Sequence, residues 1–322
     1  MVDIKKIGLS DLKEMESHYD LFLCGSSFEN RCLVIASHIN RVQFSSVLIC
    51  HFSENYSKAE ANLNELQDLF SSKSEIVLLS KSKPLLNYDT LFDLFSQKQN
   101  KNILFDISTF TRENILIILQ LFRQKPFKDK TLTLCYNPSD KYSNFVKGEY
   151  ENVWLSKGVQ NIRSIVGYSG DFSPIKELML IVLVGFESER AQILINNFEP
   201  NKLYIGKSPV INSQNEDLAA TNQYNFDKLI AFNSNSIEFN FSCVDIDTTK
   251  RELTTIIEEN IDKYNIVISP MNNKLSTLAV ASIAFRFPEV QICYAATNQY
   301  NIEAYSSPMD FVYIVDSKDL YE

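Results

Sequence analysis

The residues best suited to chemistry sit in short polar stretches that directly follow apolar runs. Ile103-Leu104-Phe105-Asp106 leads into Ile107-Ser108-Thr109-Phe110-Thr111-Arg112, where a predicted strand passes into a predicted helix. Asp106 is the one carboxylate placed as a catalytic base or nucleophile would be, at the end of a strand. Ser108, Thr109, Thr111 and Arg112 bring hydroxyls, backbone N–H groups and a guanidinium to a helix N-terminus, a combination that suits phosphate or carboxylate. Helix capping accounts for the hydroxyls but not for the cation.

A second stretch, Gly25-Ser26-Ser27-Phe28-Glu29-Asn30-Arg31, follows an apolar run that ends in Cys24. A cation at the start of a helix opposes the helix dipole. Arg31 therefore calls for an anionic ligand or a nearby carboxylate, and Glu29 is the carboxylate at hand.

Both stretches recur later in the chain. Gly185-Phe186-Glu187-Ser188-Glu189-Arg190 repeats the second, its glycine 185 − 25 = 160 residues on. Ser269-Pro270-Met271-Asn272-Asn273-Lys274 answers the first at an offset of 269 − 106 = 163. Cys135-Tyr136 returns as Cys293-Tyr294, an offset of 158. Three blocks in one order at nearly one spacing indicate an internal duplication, with Gly25 expected on Gly185 and Asp106 on Ser269. Glu187, Arg190, Ser269, Asn272, Asn273 and Lys274 are then the ligand-binding candidates of the second half, beside Glu29, Arg31, Ser108, Thr109, Thr111 and Arg112 of the first. Because Asp106 faces Ser269 across the repeat, any catalysis belongs to the first half. Tyr136 and Tyr294 carry rings that would stack a base and would equally serve as core aromatics.

The elements that must position these residues alternate β-branched or aromatic runs with helical patterns, the mark of βαβ units. Strands are predicted at 21–24, 46–51, 75–79, 102–105 and 131–136, and again at 179–184, 202–205, 237–241, 265–268 and 290–294. The fold class is therefore α/β: two tandem Rossmann-like, doubly wound parallel-sheet units, placed at 1–172 with a connector over 148–174, and at 173–322. In such sheets ligands bind beyond the carboxyl ends of the strands where the strand order reverses, and with order 3-2-1-4-5 that crevice lies between the loops after strands 1 and 4. Those are the loops that repeat. The helices expected after strand 4, ILIILQLF over 115–122 and LAVASIAF over 278–285, are apolar nearly all round and so should be buried on both sides. They are expected to meet across a pseudo-dyad or in a homodimer.

Other chemistries are discounted. The chain has no GxGxxG, no GxxxxGK[ST] and no GxSxG, which argues against a dinucleotide site, a Walker-type NTPase and a nucleophile elbow. Its three histidines, His18, His38 and His51, lack metal-ligand spacing and all fall in the first half. No metal and no cofactor is expected.

With 322 residues, 45% of them hydrophobic and only 8 Gly and 9 Pro, the chain should fold throughout. Six scattered cysteines without a CxxC pair read as buried, reduced thiols of a cytoplasmic protein. No stretch approaches the length of an apolar membrane span. Residues 1–172 hold 20 basic and 20 acidic side chains, so 173–322 hold 31 − 20 = 11 and 40 − 20 = 20, the whole net charge of −9. That balance speaks against nonspecific nucleic-acid binding, which needs a basic face.

A duplicated Rossmann-like unit, polar loops after strands 1 and 4, apolar strand-4 helices and no dinucleotide fingerprint together resemble the CRISPR-associated Rossmann-fold (CARF) sensor domains of prokaryotic defence systems. The resemblance is architectural: Lys274 and its polar neighbours match the family's basic, polar strand-4 loop, whereas the glycine typical of that loop is missing and Asp106-Ile107-Ser108-Thr109 departs further. It implies a cyclic oligonucleotide or related nucleotide at the dyad. The leading expectation is a sensor or binding module for a small anionic, nucleotide-like ligand that acts through a partner effector subunit. The alternatives are an enzyme on a phosphorylated or nucleotide substrate with Asp106 as base or nucleophile, and a scaffold subunit that grips another protein.

Overall fold

A computed structural model describes residues 1–15, 19–52, 57–142, 146, 148–150, 154–303 and 306–321. The chain forms two compact units, Met1–Asp140 with Ser306–Tyr321, and Lys141–Tyr305. His18 lies outside the described residues, as does 151–153 of the expected connector.

In unit 1 the central strands are β2 (Leu21–Gly25), β3 (Ser46–Phe52), β4 (Ser74–Leu79), β5 (Asn102–Asp106) and β6 (Thr131–Tyr136), after a short β1 (Ile4–Gly8). They run parallel in the order β4-β3-β2-β5-β6, which is 3-2-1-4-5. Strands buried on both faces read as continuous apolar runs, and every residue of β2 is buried. Helices α1 (Arg31–His38), α2 (Ser57–Phe70), α3 (Pro84–Gln97) and α4 (Arg112–Phe122) provide the crossovers.

Unit 2 repeats the plan. Its strands β9 (Glu177–Leu183), β10 (Lys202–Lys207), β11 (Ile237–Asn240), β12 (Tyr264–Pro270) and β13 (Gln291–Tyr300) stand in the order β11-β10-β9-β12-β13, again 3-2-1-4-5 and parallel. Its helices are α5 (Ser188–Phe198), α6 (Glu216–Phe232), α7 (Ile246–Glu258) and α8 (Lys274–Arg286).

The units differ from the sequence halves 1–172 and 173–322. The chain leaves unit 1 through β7 (Ser139–Tyr142) and returns at β14 (Ser306–Pro308), and these two short strands pair. The last strand, β15 (Phe311–Asp316), then pairs antiparallel with β6 and carries β1 on its other edge. Within the expected connector, β8 (Ser156–Ser164) pairs antiparallel with β13, so this segment belongs to the second sheet rather than to the first half. Each five-stranded core thus gains an antiparallel extension beside its fifth strand.

The strand-4 helices are buried as their composition predicts. Ile115 to Leu119 on α4 and Leu275 to Ile283 on α8 are each at most 3% exposed. Within its own unit α4 packs on α3, through an edge contact of Phe95 with Phe122 (4.9 Å) and a 3.1 Å hydrogen bond from Asn87 Nδ2 to Asn114 Oδ1. The corresponding neighbour of α8 is α7.

Candidate functional site

The strand order reverses between β2 and β5 in unit 1 and between β9 and β12 in unit 2, so the loops after these strands flank the switch points. Pairing registers show which residues correspond. Leu23 lies opposite Phe105 as Ile181 lies opposite Ile268, and the Ser26 N–H donates to Cys50 O as the Val184 N–H donates to Gly206 O. Asp106 therefore matches Ser269, as expected. Gly25, however, matches Leu183, and Gly185 matches Ser27, so the two glycines stand two residues out of register.

Each glycine answers a different close approach. A Cβ on Gly25 would come within 2.8 Å of the Phe110 ring, whereas one on Gly185 would lie 1.9 Å from the Met271 carbonyl oxygen. In both units the strand-4 loop presses on the strand-1 loop, by a side chain in the first and by main chain in the second. The Thr109 hydroxyl adds a 3.2 Å bond to Gly25 O.

On the strand-1 loops each arginine finds its anion inside the protein. Arg31 donates from Nη2 (2.7 Å) and Nε (3.0 Å) to Glu29 Oε2 and from Nη1 to Asn137 O (3.0 Å). Ser306 Oγ adds a 2.9 Å bond to the same Glu29 oxygen. In unit 2, Arg190 Nη1 donates to Glu187 Oε2 at 2.6 Å and to Ser156 Oγ at 2.8 Å, and the Ser156 hydroxyl bonds Glu187. Glu29 and Glu187 stand 187 − 29 = 158 residues apart, the offset of the strand register itself. A buried Glu–Arg–Ser cluster is thus built twice, and of the two partners proposed for these arginines the structure provides the carboxylate.

Around strand 4 of unit 1, Asp106 is 3% exposed and accepts the Ser108 N–H at 2.9 Å. Burial pushes its carboxyl up to about 6, against the opposing pull of the Ser108 hydrogen bonds and of Arg31. Ser108 Oγ in turn accepts the Asn137 N–H at 2.9 Å, and Asn137 Nδ2 donates to Met309 O and Phe311 O. Asp106, Ser108, Asn137, Arg31 and Glu29 form one connected polar cluster across the ends of β2, β5 and β6. Asn137 is central to it through its main chain, whose carbonyl accepts from Arg31 and whose N–H donates to Ser108.

The start of the strand-4 helix is alike in both units. Thr111 caps α4 by accepting the Asn114 N–H at 3.2 Å, and Asn273 caps α8 by accepting the Ser276 N–H at 3.0 Å. The first helical residue is then a half-buried cation, Arg112 or Lys274. Asn272 ties the unit 2 loop to strand 1 through a bond from Nδ2 to Val184 O, and Asn273 Nδ2 donates to Cys243 O at 2.6 Å. Ser269 is 2% exposed beneath this loop.

The tyrosines serve as internal aromatics. Tyr136 stacks on Tyr313 at 6.4 Å, and Tyr294 is 8% exposed with the Arg163 guanidinium 5.9 Å from its ring centre. All six cysteines are buried and unpaired, and burial pushes Cys32, Cys50, Cys243 and Cys293 up to about 12. Among the described residues no group of His, Cys, Asp and Glu is arranged to hold a metal ion, and no helix is long and apolar enough to cross a membrane.

The chain matches no known protein-family model and no curated protein, so function has to be read from these residues.

Proposed function

We propose that the protein is a binding module for a small anionic, nucleotide-like ligand taken up at the switch points of its two Rossmann-like units. The observation that carries this reading is the repeated start of the strand-4 helix, where a side-chain cap is followed by a cation, Arg112 or Lys274, at the end of the helix that disfavours cations. Two units with the same strand order place a helix cap and a cation at the same point, a setting that suits an anion. Arg31 and Arg190 act in this reading as supports: paired with Glu29 and Glu187, they hold the strand-1 loops in shape. A cytoplasmic sensor of the CARF kind, signalling to a partner effector subunit or within a homodimer, is the biological role most in keeping with such a module.

A second reading is favoured by Asp106. A carboxyl 3% exposed and poised near 6 suits proton transfer near neutral pH, so an enzyme on a phosphorylated or nucleotide substrate would use Asp106 as its base.

Mass spectrometry of small molecules released from the purified, heat-denatured protein tests the first reading. A nucleotide-like anion recovered from wild type and lost from Arg112→Ala supports it. Recovery of no anion, or of the same amount from both proteins, counts against it.

A further inference from the structure

The geometry points to Ser26 as the nucleophile of an acyl-transfer step, with His51 as its base and Glu60 holding the imidazole. Ser26 Oγ lies 2.7 Å from His51 Nδ1, and His51 Nε2 lies 3.2 Å from Glu60 Oε1. A carboxylate at Nε2 favours the tautomer that carries its proton there, which leaves Nδ1 to accept the Ser26 hydroxyl proton. The chain of groups runs from a serine 5% exposed, through an imidazole 3% exposed, to a glutamate side chain 56% exposed on α2.

Its place in the fold favours chemistry. Ser26 follows β2, His51 is on β3 and Asp106 ends β5, so three neighbouring strand ends bring these groups to the switch point of unit 1. Unit 2 shows what the fold alone requires. Gly25 lies opposite Cys50 as Leu183 lies opposite Gly206, so Val184 occupies the position of Ser26 and Lys207 that of His51. Val184 is 0% exposed, an ordinary core residue. The same architecture therefore folds without a hydroxyl or an imidazole there, and unit 1 keeps a buried pair whose desolvation opposes folding. The Ser26 N–H is fixed on Cys50 O at 2.9 Å, and Asn62 Nδ2 braces Ser27 O at 2.7 Å, so the serine is held in one position.

The substrate class follows from the nucleophile. A serine hydroxyl that hands its proton to a neutral imidazole attacks a carbonyl carbon and forms an acyl-serine, so the substrate is a small carboxylic ester. Ser26 Oγ bonds to the carbonyl carbon while its proton passes to His51 Nδ1. The leaving alkoxide takes that proton as its C–O bond breaks. Water then attacks the acyl-serine with His51 accepting its proton, and that proton returns to Ser26 as the carboxylic acid departs.

This inference shares the unit 1 switch point with the binding reading, yet its test needs no natural ligand. The intact chain is treated with a fluorophosphonate probe, and adducts are located by peptide mass spectrometry. The expected result is one adduct, on Ser26, at a rate that falls about 100-fold in His51→Gln and falls measurably in Glu60→Gln. Because Glu60 is half exposed, Glu60→Gln decides the matter should His51→Gln fail to fold. An unlabelled Ser26 in the folded protein, or labelling at the same rate in the variants, overturns the assignment. Loss of labelling with retained anion binding would fault this step alone, and the converse would fault the binding reading alone.

Discussion

Arg31 Nη2 lies 2.7 Å from Glu29 Oε2, with the two side chains only 8% and 10% exposed, and Arg190 stands in the same relation to Glu187 at 2.6 Å. Each pair sits at the head of the first crossover helix, where it fixes the strand-1 loop against the end of its sheet. Taking one partner from a buried pair leaves the other charge uncompensated.

Arg31→Met should accordingly destabilise unit 1 by about 3–5 kcal/mol, and Glu29→Gln with Arg31→Met should recover most of that loss. Urea denaturation of the single and double variants measures both. If the single variant unfolds at the wild-type midpoint, the pair contributes nothing to the loop.

Asp106 sets a pH dependence of unusual sign. Its carboxyl titrates at about 6 in the folded chain, above the ordinary 3.8, so between these values the native state holds more protons than the unfolded one. Its contribution is most favourable at low pH and is lost as pH rises through this window, a change on the order of 3 kcal/mol. Asp106→Asn, which keeps an acceptor for the Ser108 N–H, should be more stable than wild type at pH 7.5 and should flatten the stability profile between pH 4 and 7. A profile identical to wild type would show that Asp106 is not buried as described.

Much of this arrangement was legible in the sequence. The ten core strands follow from apolar runs bounded by turn residues, and their parallel run follows from the βα alternation, because parallel neighbours need crossovers, while 3-2-1-4-5 is one of the doubly wound orders that this alternation allows. Hydrophobic pattern reports that a segment is a strand but not which edge it joins. The pairing of β15 with β6, and hence the return of the chain to unit 1, is a long-range choice invisible to any local window. The glycine spacing misled by two residues because Gly25 and Gly185 relieve different contacts, one with a phenyl ring and one with a carbonyl oxygen. The array of Ser26, His51 and Glu60 was hidden because its members come from a loop, a strand and a helix with no shared motif.

Those two contacts also separate two substitutions. In Gly25→Ala the Phe110 ring can turn aside, at a cost of about 1–3 kcal/mol. In Gly185→Ala the new methyl meets a carbonyl oxygen at 1.9 Å, so the strand-4 loop of unit 2 must move and the loss should be larger. Thermal melts compare them directly, and equal losses would contradict the difference in approach.

The thiols should be inert. Burial raises the pKa of all six cysteines, so iodoacetamide at pH 8 should add no mass to the native chain and six carbamidomethyl groups to the denatured one. Modification of the native chain would show that at least one thiol is accessible.

The claim that the switch points take an anion is tested most directly by thermal-shift titration against a panel of nucleotides and cyclic oligonucleotides, run on wild type, Arg112→Ala and Lys274→Ala. A charge-assisted contact contributes about 1.5–3 kcal/mol, so a ligand that raises the wild-type melting temperature should bind roughly 10- to 150-fold more weakly to at least one variant. A panel without any stabilising member, or a stabilisation that survives undiminished in both variants, would contradict the assignment.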